Sequence, residues 1–373
     1  MEKNLNSKIE LFFLLKKKKY KKIFIITGQN SFYKSGANKI IEKLVKNINV
    51  KLYFKKSYYP EINELKEIVT LIYKFSPDLV IAVGGGAVMD YAKMSNIIPV
   101  EYLANIKDSI INYYDIGYKK KNILIALPTT AGSGAEVTSN AVIYVNKVKY
   151  SIENKLLIPD HFFLIPSFIL NNPKKIKSSS GFDAIAQSME SLISQKSNKQ
   201  SIFFAKQSLE LTNKSFLNFI NKPSTNNATK MLLAANLSGK AINISKTTAP
   251  HAISYPFTAM FGINHGHAVS LFFEKFLRFN YLNLDKSSCS FDLNKRYQII
   301  FDKFNVKNIN ELCLKINFYK KSSGLEDNFK KLNINLDKNI EKILNEVNPL
   351  RLKNNPISIT RKDLKNILLN EKF

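Results

Sequence analysis

Continuous apolar runs and helically spaced apolar positions take turns along the first 150 residues. KIFIIT (22–27) is a short apolar run that stops at Gly28, the pattern of a strand buried on both faces. Positions 37–47 repeat apolar residues at helical spacing, 50–54 read as a strand, and 62–75 read as an amphipathic helix. DLVIAV (78–83) is a second apolar run, closed by Gly84, Gly85 and Gly86, and 87–94 then return to a helical pattern. NILIAL (122–127) is a further strand. This β-α-β-α-β rhythm predicts a mostly parallel sheet wrapped by helices. Two short strand patterns, 141–145 and 148–152, flank the link Asn146-Lys147 and predict a hairpin. Beyond about residue 160 the alternation stops. Positions 182–194, 201–220 and 228–245 read as successive helices joined by short polar links, as in a bundle. The expected organisation is an α/β domain over 1–155 followed by an all-α domain over 156–373.

Composition narrows the class. Hydrophobic residues make up 45% and charged residues 23% of the 373 positions, a globular balance that argues against wholesale disorder. No stretch reaches the roughly 20 continuous apolar residues of a membrane span. The apolar patch at 11–15 lacks the length and cleavage site of a secretory signal, and reads as a surface-lying first segment of a cytoplasmic protein. Cys289 and Cys313 have no CxxC partner, so neither a thiolate metal site nor a disulfide framework is expected. The formal net charge of +27 invites a nucleic-acid reading. Only four of the 56 basic residues are arginine, however, and the lysines are spread along the whole chain among Asn and Ile. This resembles compositional drift with lysines on solvated faces, not a phosphate-reading surface.

Three constellations carry chemistry. The segment from Gly84 to Asp90 follows a buried strand; consecutive glycines let backbone amides approach a phosphate, and the next helix offers free amides at its start. It is not a GxGxxG fingerprint. The segment from Leu127 to Thr138 (LPTTAGSGAEVT) also follows a strand and is rich in small hydroxyl residues, which suits the carboxyl end of a ligand-binding sheet. In the helical half, Asp183 and Gln187 are four apart and share one helix face, and His251 and His265 lie further on. A carboxylate, an amide oxygen and two imidazoles form a mixed N/O donor set for Fe²⁺, Zn²⁺, Mn²⁺ or Ni²⁺. From spacing alone the signal is weak, because an Asp and a Gln on one face are usually just solvated.

Four segments in order resemble the iron-containing (group III) alcohol dehydrogenases: VGGGAVMDYAK (83–93), PTTAGSGAEVT (128–138), SSGFDAIAQSMES (179–191) and HAISYPFTAMFGINHGHA (251–268). The resemblance implies the dehydroquinate synthase-like fold of that family, a Rossmann-like domain followed by an all-helical one. It implies that Gly84, Gly85 and Gly86 cradle the pyrophosphate of NAD(P)H, with Asp90 in the same motif. Thr129, Thr130, Ser133 and Thr138 would line the rest of the cofactor site, and Lys149 would reach its ribose. Asp183, Gln187, His251 and His265 would bind the metal, iron first and zinc or manganese as substitutes. Two positions depart from the family pattern. Gln187 stands where a histidine is usual, and Tyr255 where a histidine often assists proton transfer, so Tyr255 or His267 would take that role. The segment Thr27-Gly28-Gln29 lacks the carboxylate that disfavours a 2′-phosphate, so NADP is expected to be tolerated. The run from Ala234 to His251 resembles phosphonoacetaldehyde reductases, with Lys246, Thr247, Thr248 and Asn243 as groups for a phosphonate dianion. The expectation is reduction of phosphonoacetaldehyde to 2-hydroxyethylphosphonate by a homo-oligomer. An uncharged aldehyde or polyol as substrate, and a non-catalytic polyanion-binding relative, are the alternatives.

Overall fold

The computed structural model describes residues 8–112, 114, 116–146 and 148–369. They form two compact units: one comprises 8–130 and 134–172, the other 131–133 and 173–369.

The first unit runs α1 (Lys8–Lys18), β1 (Lys22–Thr27), α2 (Gln29–Lys34), α3 (Ala37–Leu44), β2 (Asn49–Phe54), α4 (Ile62–Phe75), β3 (Leu79–Gly84), α5 (Gly86–Ser95), α6 (Ile106–Asn112), β4 (Ile123–Pro128), β5 (Asn140–Val145), β6 (Val148–Glu153), β7 (His161–Phe162) and α7 (Ser167–Leu170). Strands β2-β1-β3-β4-β7 form one sheet, parallel throughout. Every residue of β3 is buried, which is why its sequence is apolar without alternation. Strand order reverses between β1 and β3, so the carboxyl ends at Thr27 and Gly84 flank a topological switch point, where sheets of this kind take ligands.

The hairpin forms as expected: β5 and β6 pair antiparallel, and Asn146 takes the left-handed conformation at φ 51°. Lys147 lies outside the described residues. The amino-terminal patch does more than lie on a surface. In α1, Leu11 and Leu15 are buried in a cluster with Ile23 and Ile25 of β1 and Phe32 of α2, because four-residue spacing aims both leucines inward. The sequence placed the domain change at 155/156, whereas by packing the first unit continues to Asn172. Here β7 hydrogen-bonds to β4, and the Asn172 side chain donates to the Thr129 carbonyl at 2.7 Å.

The second unit is helical: α8 (Lys174–Ile193), α9 (Lys199–Asn221), α10 (Thr225–Ser245), α11 (Ala249–Phe261), α12 (His265–Ser270), α13 (Phe273–Leu282), α14 (Leu293–Phe304), α15 (Ile309–Ser323), α16 (Leu336–Asn345), α17 (Pro349–Leu352) and α18 (Arg361–Leu369). Helix α8 is buried from Gly181 to Ile193. Its neighbours approach closely because small hydroxyl residues meet between helices: Ser188 with Ser208, and Ser191 with Ser245, both at 2.8 Å. A helix buried on all sides has no solvated face for a charge, so its Asp183, Gln187 and Glu190 must find partners inside the protein. Among the described residues no helix is long and apolar enough to cross a membrane.

Candidate metal centre and dinucleotide crevice

The partners of Asp183 come from two other helices. His251 stands in the first turn of α11, a helix closed by Gly262 in the left-handed conformation at φ 65°. The reversal there lets His265 open α12. Helix α12 lies directly against α8 because residue 266 is glycine: a Cβ there would fall 2.0 Å from the Ser179 carbonyl oxygen and 2.8 Å from Asp183 Cβ. Donor atoms of Asp183, His251 and His265 consequently lie within 4.8 Å of one another. Asp183 and His251 are buried and His265 is partly exposed, a set of hard oxygen and imidazole donors that suits a divalent ion.

His251 bridges two carboxylates. Its Nε2 is 3.1 Å from Asp183 Oδ1, and its Nδ1 makes a short contact with Glu190 Oε2. Burial alone would keep the ring neutral, but the charge of Glu190 and the hydrogen bonds to Asp183 and Glu190 outweigh it and push the pKa up to about 10. Burial acts to raise the pKa of Asp183, yet the His251 hydrogen bond and the nearby His265 hold it below the ordinary carboxylate value. Gln187, one turn beyond Asp183, is buried with its Oε1 2.9 Å from the Ser238 hydroxyl.

Tyr255 stacks on His265, with ring centroids 5.5 Å apart and planes 11° apart. Arg351 Nη1 donates to the Tyr255 hydroxyl at 3.0 Å, and the guanidinium sits 4.9 Å from the ring centre. His267 is placed differently. Its backbone amide donates to Ser179 Oγ, its Nε2 lies 2.7 Å from the Glu326 carbonyl, and it is not among the converging donors. Burial lowers its pKa. Lys246 follows the last turn of α10 at φ 60°, ψ 177°, a region nearly exclusive to glycine, and its Nζ donates to the Asn243 carbonyl at 3.1 Å. The strained segment is clamped by Asn354, whose Nδ2 donates to the carbonyls of Ser245 and Thr247.

In the first unit, Gly85 caps α5 and Thr129 donates its amide to the Gly84 carbonyl at 3.0 Å, so the loop after β4 is tied to the end of β3, the strand that borders the switch point. A Cβ at Gly84 would fall 2.5 Å from Val88 Cγ2, and one at Gly85 would crowd the Thr130 side chain at 3.3 Å. The buried Thr129 Oγ1 has no partner among the described residues, so a hydroxyl stands available beside the glycine turn. Ser133 belongs to the second unit with Ala131 and Gly132. Burial pushes Asp90 up to about 6 against the charges of Lys93 and Lys149 and the Val142 amide.

Thr138 Oγ1 accepts from Lys93 Nζ at 2.9 Å. Lys93 is fully buried and also donates to the carbonyls of Ala135 and Asn140, at 3.0 and 2.6 Å, tying this loop to α5. Sequence reasoning counted Lys93 among solvated lysines; its place at the end of an apolar helical run was the available signal. Burial lowers its pKa from 10.5 to about 8, opposed by Asp90 and Glu136. The folded state therefore binds fewer protons than the unfolded chain between those values, and stability rises with pH from about 8 to 10.5. Lys93→Met is expected to remove that rise and to cost about 3 kcal/mol at neutral pH, since three buried acceptors lose a charged donor. Urea melts at pH 7 and pH 10 check both effects.

Glycine turn, switch point and converging donors define a protein with a dinucleotide-type crevice in one unit and a divalent-ion site in the other. The chain belongs to the iron-containing alcohol dehydrogenases: the family model "Iron-containing alcohol dehydrogenase" matches residues 7–166, and the "Fe-containing alcohol dehydrogenase family, C-terminal" model matches 177–371. Among curated relatives, aldehyde-alcohol dehydrogenase 2 of Entamoeba histolytica is 26% identical over 72% of this chain and 32% of its own length. The chain spans about a third of the length of the aldehyde-alcohol dehydrogenases it matches. Phosphonoacetaldehyde reductase of Streptomyces viridochromogenes is 29% identical over 55% of this chain and 53% of its own. The crystal structure of sulfoacetaldehyde reductase from Bifidobacterium kashiwanohense in complex with NAD⁺ superposes with a TM-score of 0.83, at 26% identity over 97% of this chain and 94% of that one.

Proposed function

We propose that this chain is a metal-assisted, NAD(P)H-linked aldehyde reductase whose substrate carries a compact oxyanion head, phosphonoacetaldehyde being the first candidate. The observation that carries the reading is the convergence of the buried Asp183 and His251 with the partly exposed His265 in a chain of this family. When bound, the nicotinamide supplies a hydride to the carbonyl carbon and the divalent ion supplies positive charge for the developing alkoxide.

The chain's own residues do the rest. Asp183, His251 and His265 would hold the ion, and the Gln187 carbonyl oxygen is the fourth donor available to it. Gly84, Gly85, Gly86, Thr129 and Thr130 take the pyrophosphate. A relative of 26% identity solved with NAD⁺ supports the dinucleotide, and the absence of a carboxylate at Gly28-Gln29 favours tolerance of NADP. Tyr255 is the better placed of the two proton donors named from sequence. It stacks on His265, and Arg351 beside its hydroxyl stabilises the phenolate left when the proton goes to the product oxygen. His267 holds the Glu326 carbonyl instead.

Lys246 carries the choice of substrate. Strain at a non-glycine residue persists only where its surroundings enforce it, and such sites cluster at ligand clamps. Two relatives named for phosphono- and sulfoacetaldehyde point to a charged head of tetrahedral geometry. Lys246→Met is expected to lower kcat/KM for phosphonoacetaldehyde on the order of 10- to 100-fold while leaving acetaldehyde nearly unchanged. The test follows nicotinamide absorbance with Fe²⁺-loaded protein, NADH or NADPH, and phosphonoacetaldehyde beside acetaldehyde and lactaldehyde. Oxidation with the uncharged aldehydes alone would keep the reductase and discard the oxyanion pocket.

A further inference from the structure

Glu190 belongs to none of the groups considered so far as ligand, acid or cofactor contact. It sits two helical turns beyond Asp183 on α8 with its side chain wholly out of solvent. A buried carboxylate so placed must be fully engaged, and it is. Oε1 accepts from the Thr248 amide at 2.8 Å and from the Thr248 hydroxyl at 2.9 Å, at the start of α11. Oε2 meets His251 Nδ1, three residues further along the same chain segment. One carboxylate thus grips both the entry of α11 and the ring that α11 carries.

Resting on the metal-site reading above, we infer that Glu190 is the positioning residue of the metal centre: it holds the Nδ1 proton of His251 so that the Nε2 lone pair faces Asp183 and the ion. An imidazole that binds an ion through Nε2 keeps a single proton, on Nδ1, and that proton needs an acceptor. Glu190 Oε2 is that acceptor. Its other oxygen faces a backbone amide and a hydroxyl, so every group around the carboxylate presents a donor.

This geometry makes glutamine a sharp probe. The amide of Glu190→Gln has one acceptor and one donor end, whereas both sides of the site demand acceptors. Turned one way, its NH₂ opposes the Thr248 amide. Turned the other way, it donates to Nδ1 and moves the ring proton to Nε2, where the ion must bind.

The measurement is Zn²⁺ affinity of the folded protein, by competition with a chelator well below the melting temperature, for wild type and Glu190→Gln. A 10- to 100-fold weaker affinity in the variant is expected, and an affinity within about twofold of wild type would overturn the inference. A wild type that takes up neither Zn²⁺ nor Fe²⁺ overturns the metal reading and the inference with it, so the two failures are distinguishable. Should the variant not fold, the Zn²⁺-loaded wild type decides. With only four histidines in the chain, long-range ¹H–¹⁵N spectra resolve each ring. His251 protonated at Nδ1 and metal-shifted at Nε2 supports the assignment, and the reverse pattern refutes it.

Discussion

Asp183→Asn is expected to lower kcat by at least about 10³-fold and to strip the protein of its ion while leaving the fold in place. The amide has the shape of the carboxylate and still offers His251 Nε2 an oxygen at the position that now lies 3.1 Å away. What it lacks is the negative charge that balances a divalent ion in a buried site, and electrostatic stabilisation of a developing oxyanion commonly amounts to factors of 10² to 10³ or more. Metal content by elemental analysis, turnover under Fe²⁺ loading and a thermal melt of the ion-free protein separate the consequences. Wild-type turnover by a metal-free Asp183→Asn protein would end the claim that an ion assists the reaction.

The second large effect comes from a residue with no chemistry of its own. Gly266→Ala puts a methyl group 2.0 Å from the Ser179 carbonyl oxygen, 3.0 Å from its carbon and 2.8 Å from Asp183 Cβ. Two of these neighbours are helix backbone and cannot swing aside as a flexible side chain would. The strain is relieved by moving α12 off α8, which loosens the His267 amide from Ser179 Oγ and carries His265 away from Asp183. Overpacking of this kind costs about 3 kcal/mol. A displacement of about 1 Å at a reacting centre costs on the order of 10²-fold in rate. The variant is therefore expected to melt at lower temperature and also, when folded, to bind Zn²⁺ more weakly. A variant that loses stability but keeps full ion affinity would show that α12 can shift without moving His265.

Much of the scaffold was legible before any coordinates. Strands buried on both faces are apolar through their interior positions, so the runs at 22–27, 78–83 and 122–127 announce Lys22–Thr27, Leu79–Gly84 and Ile123–Pro128. The glycine turn after β3 and the hydroxyl-rich loop after β4 could be read for the same reason, since a buried strand ending in small residues leaves few other uses. Asp183 and Gln187 could be placed on one face because a helix repeats every 3.6 residues. Their pairing with His251 and His265 came from resemblance, because spacing along the chain does not say which helices meet.

Local periodicity determines which residues are buried, and here it determined the sheet, its helices and the face of α8. Tertiary structure decided which polar groups share that interior. The sequence by itself assigns no role to Glu190, and Lys93 falls under the general reading of the lysines as solvated. These two residues became a metal-site clamp and a loop anchor only when the chain returned to them, from 61 residues away for His251 on Glu190 and from 47 for the Asn140 carbonyl on Lys93. A buried charge is tolerated only with partners that satisfy it, and those partners come from elements the local pattern does not name.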